Sequence, residues 1–134
     1  MDVRDKIDAF LKSGPYAMVG ASVNRDKYGN KVLRCYKQHG LEVYPVHPRE
    51  PEIEELRCYP GLRELPEPIR ALSVITPPSV TEKIIEDVPA SGAGFVWMQP
   101  GSESDAAVAR AEELGLTVIA NGPCLLVTLG FRDE

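Results

Sequence analysis

Residues 18–32 read MVGASVNRDKYGNKV: an apolar stub, a glycine, a polar loop and the opening of a helix. A short apolar run that ends on glycine and leads into a helix resembles the first turn of a nucleotide-binding α/β unit. The G-x-G-x-x-G spacing of dinucleotide sites is absent, so the ligand must be read from the rest of the chain. Gly20 lets a phosphate, or the chain itself, pass close above the backbone. Ser22 offers a hydroxyl, Lys27 a mobile charge, and the amides at the Gly29–Asn30 helix start the positive end of a dipole. Gly20, Ala21, Ser22, Lys27 and Gly29 together describe an anion seat; the alternative is a plain tight turn.

Working outward, Val3, Ile7, Phe10 and Leu11 recur at helical spacing until Ser13-Gly14-Pro15 stops them, and Tyr16–Val19 follows as the first strand. Downstream, a helix over 30–39 puts Val32, Leu33 and Tyr36 on one face and ends at Gly40. LEVYPV (41–46) is the second strand, and the Pro-rich acidic stretch 47–68 holds short turns. RALSVITPP (70–78) is a third strand halted by its proline pair. Ser79 and Glu82 predict a capping box for a helix with Val80, Ile84, Ile85 and Val88 as its apolar stripe. AGFVWM (93–98) is the fourth strand, Ser102 caps a helix reaching Leu114, and LTVIA (116–120) is the fifth strand.

Strand and helix alternate five times through short connections, and most strands are continuous apolar runs. That predicts an α/β fold: a Rossmann-like parallel five-stranded sheet with helices on both faces, in one domain spanning 1–134. The expected strand order is 3-2-1-4-5, with the flavodoxin-like 2-1-3-4-5 as the structural alternative.

The 134 residues suffice for one core, burying roughly two-thirds of the unfolded chain's surface. A net charge of -5 argues against a general nucleic-acid binder. Cys35, Cys58 and Cys124 are an odd, scattered set, which reads as reduced thiols. No apolar run approaches the ~20 residues of a membrane span, and MDVRDKIDAF lacks the apolar region of a signal peptide. The expected address is the cytoplasm.

On an open parallel sheet, ligands bind beyond the carboxyl ends of the strands. After the second strand an NAD site would carry Asp or Glu; here the chain reads VHPRE. His47, Pro48 and Arg49 suit a ribose that bears a phosphate, which means NADP or coenzyme A. Thr76, Pro77 and Pro78 form a rigid, donor-poor ridge suited to wall an adenine or a pantetheine arm. Each feature taken singly also has a structural reading: solvated Arg49, packed His47, a proline strand stop.

Taken together, VGAS (19–22), KYGNKV (27–32), GLEVYPVHPR (40–49), CYPGLRELP (58–66), TPP (76–78), VWMQPG (96–101) and Cys124 resemble the CoA-binding domain family. These are small CoA-binding proteins related to the N-terminal domain of the succinyl-CoA synthetase alpha subunit. The resemblance implies a Rossmann fold with coenzyme A across the strand ends. Gly20, Ala21 and Ser22 would meet the diphosphate, Pro48 and Arg49 the adenosine and its 3′-phosphate, and Thr76, Pro77 and Pro78 the adenine side. Lys27 and Gly29 carry over with them. Where the family has Asn before the proline after strand two, this chain has His47.

No Ser-His-Asp set, metal cluster or Walker loop is visible, and the phosphohistidine of the synthetase belongs to a domain beyond this one. The expectation is a binding or regulatory protein with no catalytic or metal-ligating residues, taking CoA or an acyl-CoA. An NADP-dependent oxidoreductase fragment and an accessory subunit of an acyl-CoA enzyme are the alternatives.

Overall fold

Pro45 decides where the second strand lies. In the computed structural model, which describes residues 1–134, β1 (Tyr16–Val19) pairs in parallel with β2 (Val43–Val46). The Pro45 carbonyl turns away from β1 and accepts from Tyr59 N at 3.0 Å. The Pro45 nitrogen faces that same outer side, where an interior strand would need the hydrogen that proline lacks. β2 is therefore an edge.

After β2 the chain forms a two-residue ribbon, β3 (Glu52–Ile53) with β4 (Leu56–Arg57), and a 3₁₀ turn at Leu62–Glu64. It then crosses to the far side of β1 to enter β5 (Ala71–Val74), followed by β6 (Phe95–Met98) and β7 (Thr117–Ile119). The parallel sheet runs β2-β1-β5-β6-β7. In chain order of its five strands this is 2-1-3-4-5. The Rossmann-like parallel sheet is as expected, but the expected 3-2-1-4-5 order is corrected, and the edge-marking proline is the reason.

The helices divide between the two faces. α1 (Val3–Leu11), α2 (Tyr28–Gln38) and α6 (Leu125–Leu129) cover one; α3 (Pro78–Ile84), α4 (Val88–Ser91) and α5 (Asp105–Glu113) cover the other. Alternation along each strand feeds two cores: Tyr16, Met18, Trp97 and Ile119 on the α2 face, Ala17, Val96, Met98 and Val118 on the α5 face. No helix is long and apolar enough to cross a membrane.

Two caps differ from expectation. Pro78 occupies the first helical position of α3, where its missing N–H has no intrahelical partner to lose, so Ser79 falls inside the first turn and makes no capping box. α5 is capped by Ser104, whose Oγ accepts from Ala107 N at 3.0 Å. Ser102 instead donates to Val74 O at 3.0 Å and Gln99 O at 2.7 Å, tying the ends of β5 and β6 together.

Candidate functional site

The crossover from β1 runs outward through α2 to β2, while those from β5 onward run the other way through the opposite face. The direction reverses between β1 and β5, which opens a crevice beyond their carboxyl ends. A cleft of about 370 Å³ lies there, within the roughly 300–1,000 Å³ of small-molecule sites. It brings together Gly20 and Ala21 from the first turn, His47 and Pro48 from the second, and Thr76 from the third.

Both glycines of the first turn are dictated by chain packing. Gly20 has φ +103°, and a Cβ there would lie 1.8 Å from the Ile75 carbonyl oxygen. A Cβ on Gly29 would lie 2.0 Å from the Gly20 carbonyl oxygen. Gly29 therefore seats α2 against the turn and is not part of the cleft wall. Ser22 Oγ accepts from Asn24 N at 3.1 Å, closing the loop on itself. Asn24 Oδ1 takes Asp26 N at 3.0 Å, while the amides of Ala21, Ser22 and Val23 have no partner in the chain. Of these three residues only Ala21 lines the cleft; Ser22 and Val23 stand beside it. Lys27 is exposed and in no ion pair.

His47 organises the second turn. Its Nδ1 accepts from the Arg49 and Glu50 amides, each at 3.0 Å, so the neutral ring carries its proton on Nε2. An asparagine oxygen caps such a turn in the same way, and the imidazole takes that role here. Arg49 stands exposed just outside the cleft with its guanidinium in no ion pair. Thr76 lines the cleft and also an adjoining depression of about 320 Å³ with Pro77, Pro100 and Gly101. Its hydroxyl is 2.7 Å from that of buried Thr81. Pro77 borders the second depression only, and Pro78 is exposed and lines neither.

The apolar walls come from residues that the sequence reading missed as site residues: Pro60 and Leu62 on one side, Val80 and Ile84 on the other, with Asp87 as the acidic member. Val80 and Ile84 fit the core stripe of a helix, and periodicity alone does not separate a side chain under the sheet from one lining a cleft. Of that stripe, Ile85 and Val88 are the buried pair.

A second polar group lies beyond β6. Leu125 N donates to Gln99 Oε1 at 2.9 Å, which fixes the orientation of this fully buried amide. Tyr28 Oη lies 3.0 Å from the same oxygen and 2.6 Å from Cys124 Sγ. With the tyrosine proton given to Gln99, the thiol is the donor to Tyr28. Burial, and then the Cys124 contact, push the Tyr28 phenol well above its ordinary range, and burial pushes the nearby Cys35 thiol up to about 11.

The comparisons agree with this architecture. A family model described as a CoA binding domain matches residues 15–130. The chain belongs to that family. It is similar to the alpha subunit of an ADP-forming acetate–CoA ligase II from Pyrococcus furiosus, 26% identical over 117 residues. That match covers 86% of this chain but 26% of the subunit, so the chain spans about a quarter of that relative's length. It is also similar to YneT of Bacillus subtilis, 27% identical over 81% of this chain and 80% of that one. Among solved structures, a hypothetical protein from Pyrococcus horikoshii OT3 superposes with a TM-score of 0.87 at 29% identity, covering 95% of this chain and 89% of the other.

Proposed function

We propose that this protein binds coenzyme A, free or acylated, across the β1/β5 crevice, and that it acts as a binding or regulatory protein without turnover. The observation that carries this reading is the convergence of three strand-end turns on one cleft. The free amides of residues 21–23 suit a diphosphate, the slot between Leu62 and Ile84 an adenine, and Arg49 at the mouth a ribose 3′-phosphate. Membership of the CoA-binding domain family supports the ligand class. CoA-binding regions within ligase relatives make an acyl-CoA enzyme the natural partner, to be sought by co-purification.

Thermal shift against CoA, acetyl-CoA, dephospho-CoA, NAD and NADPH tests the reading. A ligand at 100 times its dissociation constant adds about 2.7 kcal/mol when it binds only the folded state. CoA is expected to stabilise most and dephospho-CoA less. Tighter binding of NADPH than of CoA would move the protein to the nicotinamide class.

A further inference from the structure

We propose that Asn30 and Arg34 are positioning residues for the anion seat: Asn30 holds the Ser22 carbonyl against α2 so that the Val23 amide faces the ligand, and Arg34 locks Asn30 in place. The inference rests on the CoA reading of the cleft.

Asn30 is fully buried, and its Nδ2 donates to the Ser22 carbonyl at 2.9 Å and to Glu54 Oε2 at 3.1 Å. In a trans peptide the C=O and the following N–H point in opposite directions. Pinning the Ser22 oxygen toward α2 therefore turns the Val23 N–H away from it, where it donates to nothing in the chain. Arg34, one turn later, fastens the end of the same loop and holds Asn30. Its side chain is 6% exposed, its Nη2 donates to the Arg25 carbonyl at 2.8 Å, and its Nε donates to Asn30 Oδ1 at 2.7 Å. The last contact locks the Asn30 amide, since a flipped amide would set donor against donor.

The clamp has a strained outer member. Glu54 sits in the β3–β4 turn at φ +50°, in the left-handed region that favours glycine. Arg25 Nη1 at 2.5 Å and Asn30 hold its carboxylate, and Lys37 Nζ at 2.6 Å holds its carbonyl. A conformation of that kind persists only where its surroundings over-determine it. Arg34 Nη1 adds Asp133 Oδ1 at 3.0 Å, and its guanidinium lies 5.1 Å from the Phe131 ring. An apolar side chain at position 34 would avoid desolvating a guanidinium. The charge supplies direction: the Ser22 and Arg25 carbonyls are drawn inward, which leaves the Val23 N–H without a partner in the chain, while the Asp26 N–H closes onto Asn24 Oδ1.

An ¹⁵N NMR titration with CoA tests this. In the wild-type protein the Ser22 and Val23 amide resonances are expected to move together with those of Gly61 and Thr76. In Asn30→Ala and Arg34→Met the CoA dissociation constant should rise at least tenfold. At saturation the Val23 shift should shrink while those of Gly61 and Thr76 persist, and Arg34→Lys should recover part of the loss. A purely structural role would lower the melting temperature of the free protein and leave the dissociation constant alone. The inference is overturned if Val23 stays unmoved in CoA-saturated wild type, a result that needs no variant to fold. It is also overturned if both folded variants bind CoA within twofold of wild type. Failure of the CoA reading itself looks different: no resonance at any of these positions moves.

Discussion

The two turns that flank the cleft are built by opposite means. The β1–α2 turn is backed from below: glycine against carbonyl at residues 20 and 29, and buried Asn30 and Arg34 holding its carbonyls. The turn after β2 is closed by the His47 imidazole and anchored at its ends by backbone bonds from His47 N to Tyr59 O and from Cys58 N to Pro51 O, with Arg49 extending into solvent. The first is a close-packed seat and the second an exposed rim. A ligand with a compact diphosphate and a separate ribose phosphate needs both.

The close-packed side should break hardest. Gly20→Ala forces a Cβ onto the Ile75 carbonyl and also strains a positive φ, so a loss of about 3 kcal/mol in urea unfolding is expected. A loss under about 1 kcal/mol would show that the turn can yield. On the rim, Arg49→Ala should leave the fold unchanged and weaken CoA about tenfold, roughly 1.4 kcal/mol, while sparing dephospho-CoA. Equal losses for the two ligands in calorimetric titration would remove Arg49 from the 3′-phosphate.

The clamp also ties the seat to pH. Burial raises the Glu54 carboxyl, but hydrogen bonds from Asn30 and Arg25 outweigh it and hold the group below its ordinary range. Its stabilisation is therefore complete above the unfolded carboxylate value of about 4.3 and is lost as pH falls through the lower folded value. Burial raises Cys35 to about 11, so its contribution is present below the free thiol value of about 8.5 and is lost as pH rises toward 11. Urea midpoints should be flat from about pH 5 to 8 and fall on either side, the acid limb flattening in Glu54→Gln. A limb unchanged in that variant would locate the acid sensitivity elsewhere. The smallest effect belongs to His47→Asn, which keeps an acceptor for the Arg49 and Glu50 amides and should cost under about 0.5 kcal/mol. His47→Ala strands both amides and should cost about 1 kcal/mol. Identical melting curves for the two variants would deny the imidazole its capping role.

Much of this contrast could be read in the chain before the fold was known. The glycine turn, the five apolar strands and the helix stop at Gly40 are local signals, and Gly40 takes the left-handed conformation of a helix end. The strand order differs from the expected one because Pro45, inside an apolar run that reads as a strand, is also an edge marker. Val80 and Ile84 looked like core because helical spacing reports a face and not what that face meets. The Asn30–Glu54 and Arg25–Glu54 contacts join positions 24 and 29 residues apart through a turn whose Glu-Glu sequence gives no hint of positive φ. That part of the site is set by tertiary contacts and leaves no local signal in the chain.

A crystal structure of the protein saturated with CoA tests the central claim most directly. The account predicts the diphosphate against the 21–23 amides, the adenine between Leu62 and Ile84, and the 3′-phosphate within reach of Arg49. CoA seated on any other face, or an empty β1/β5 crevice at saturating ligand, would contradict it.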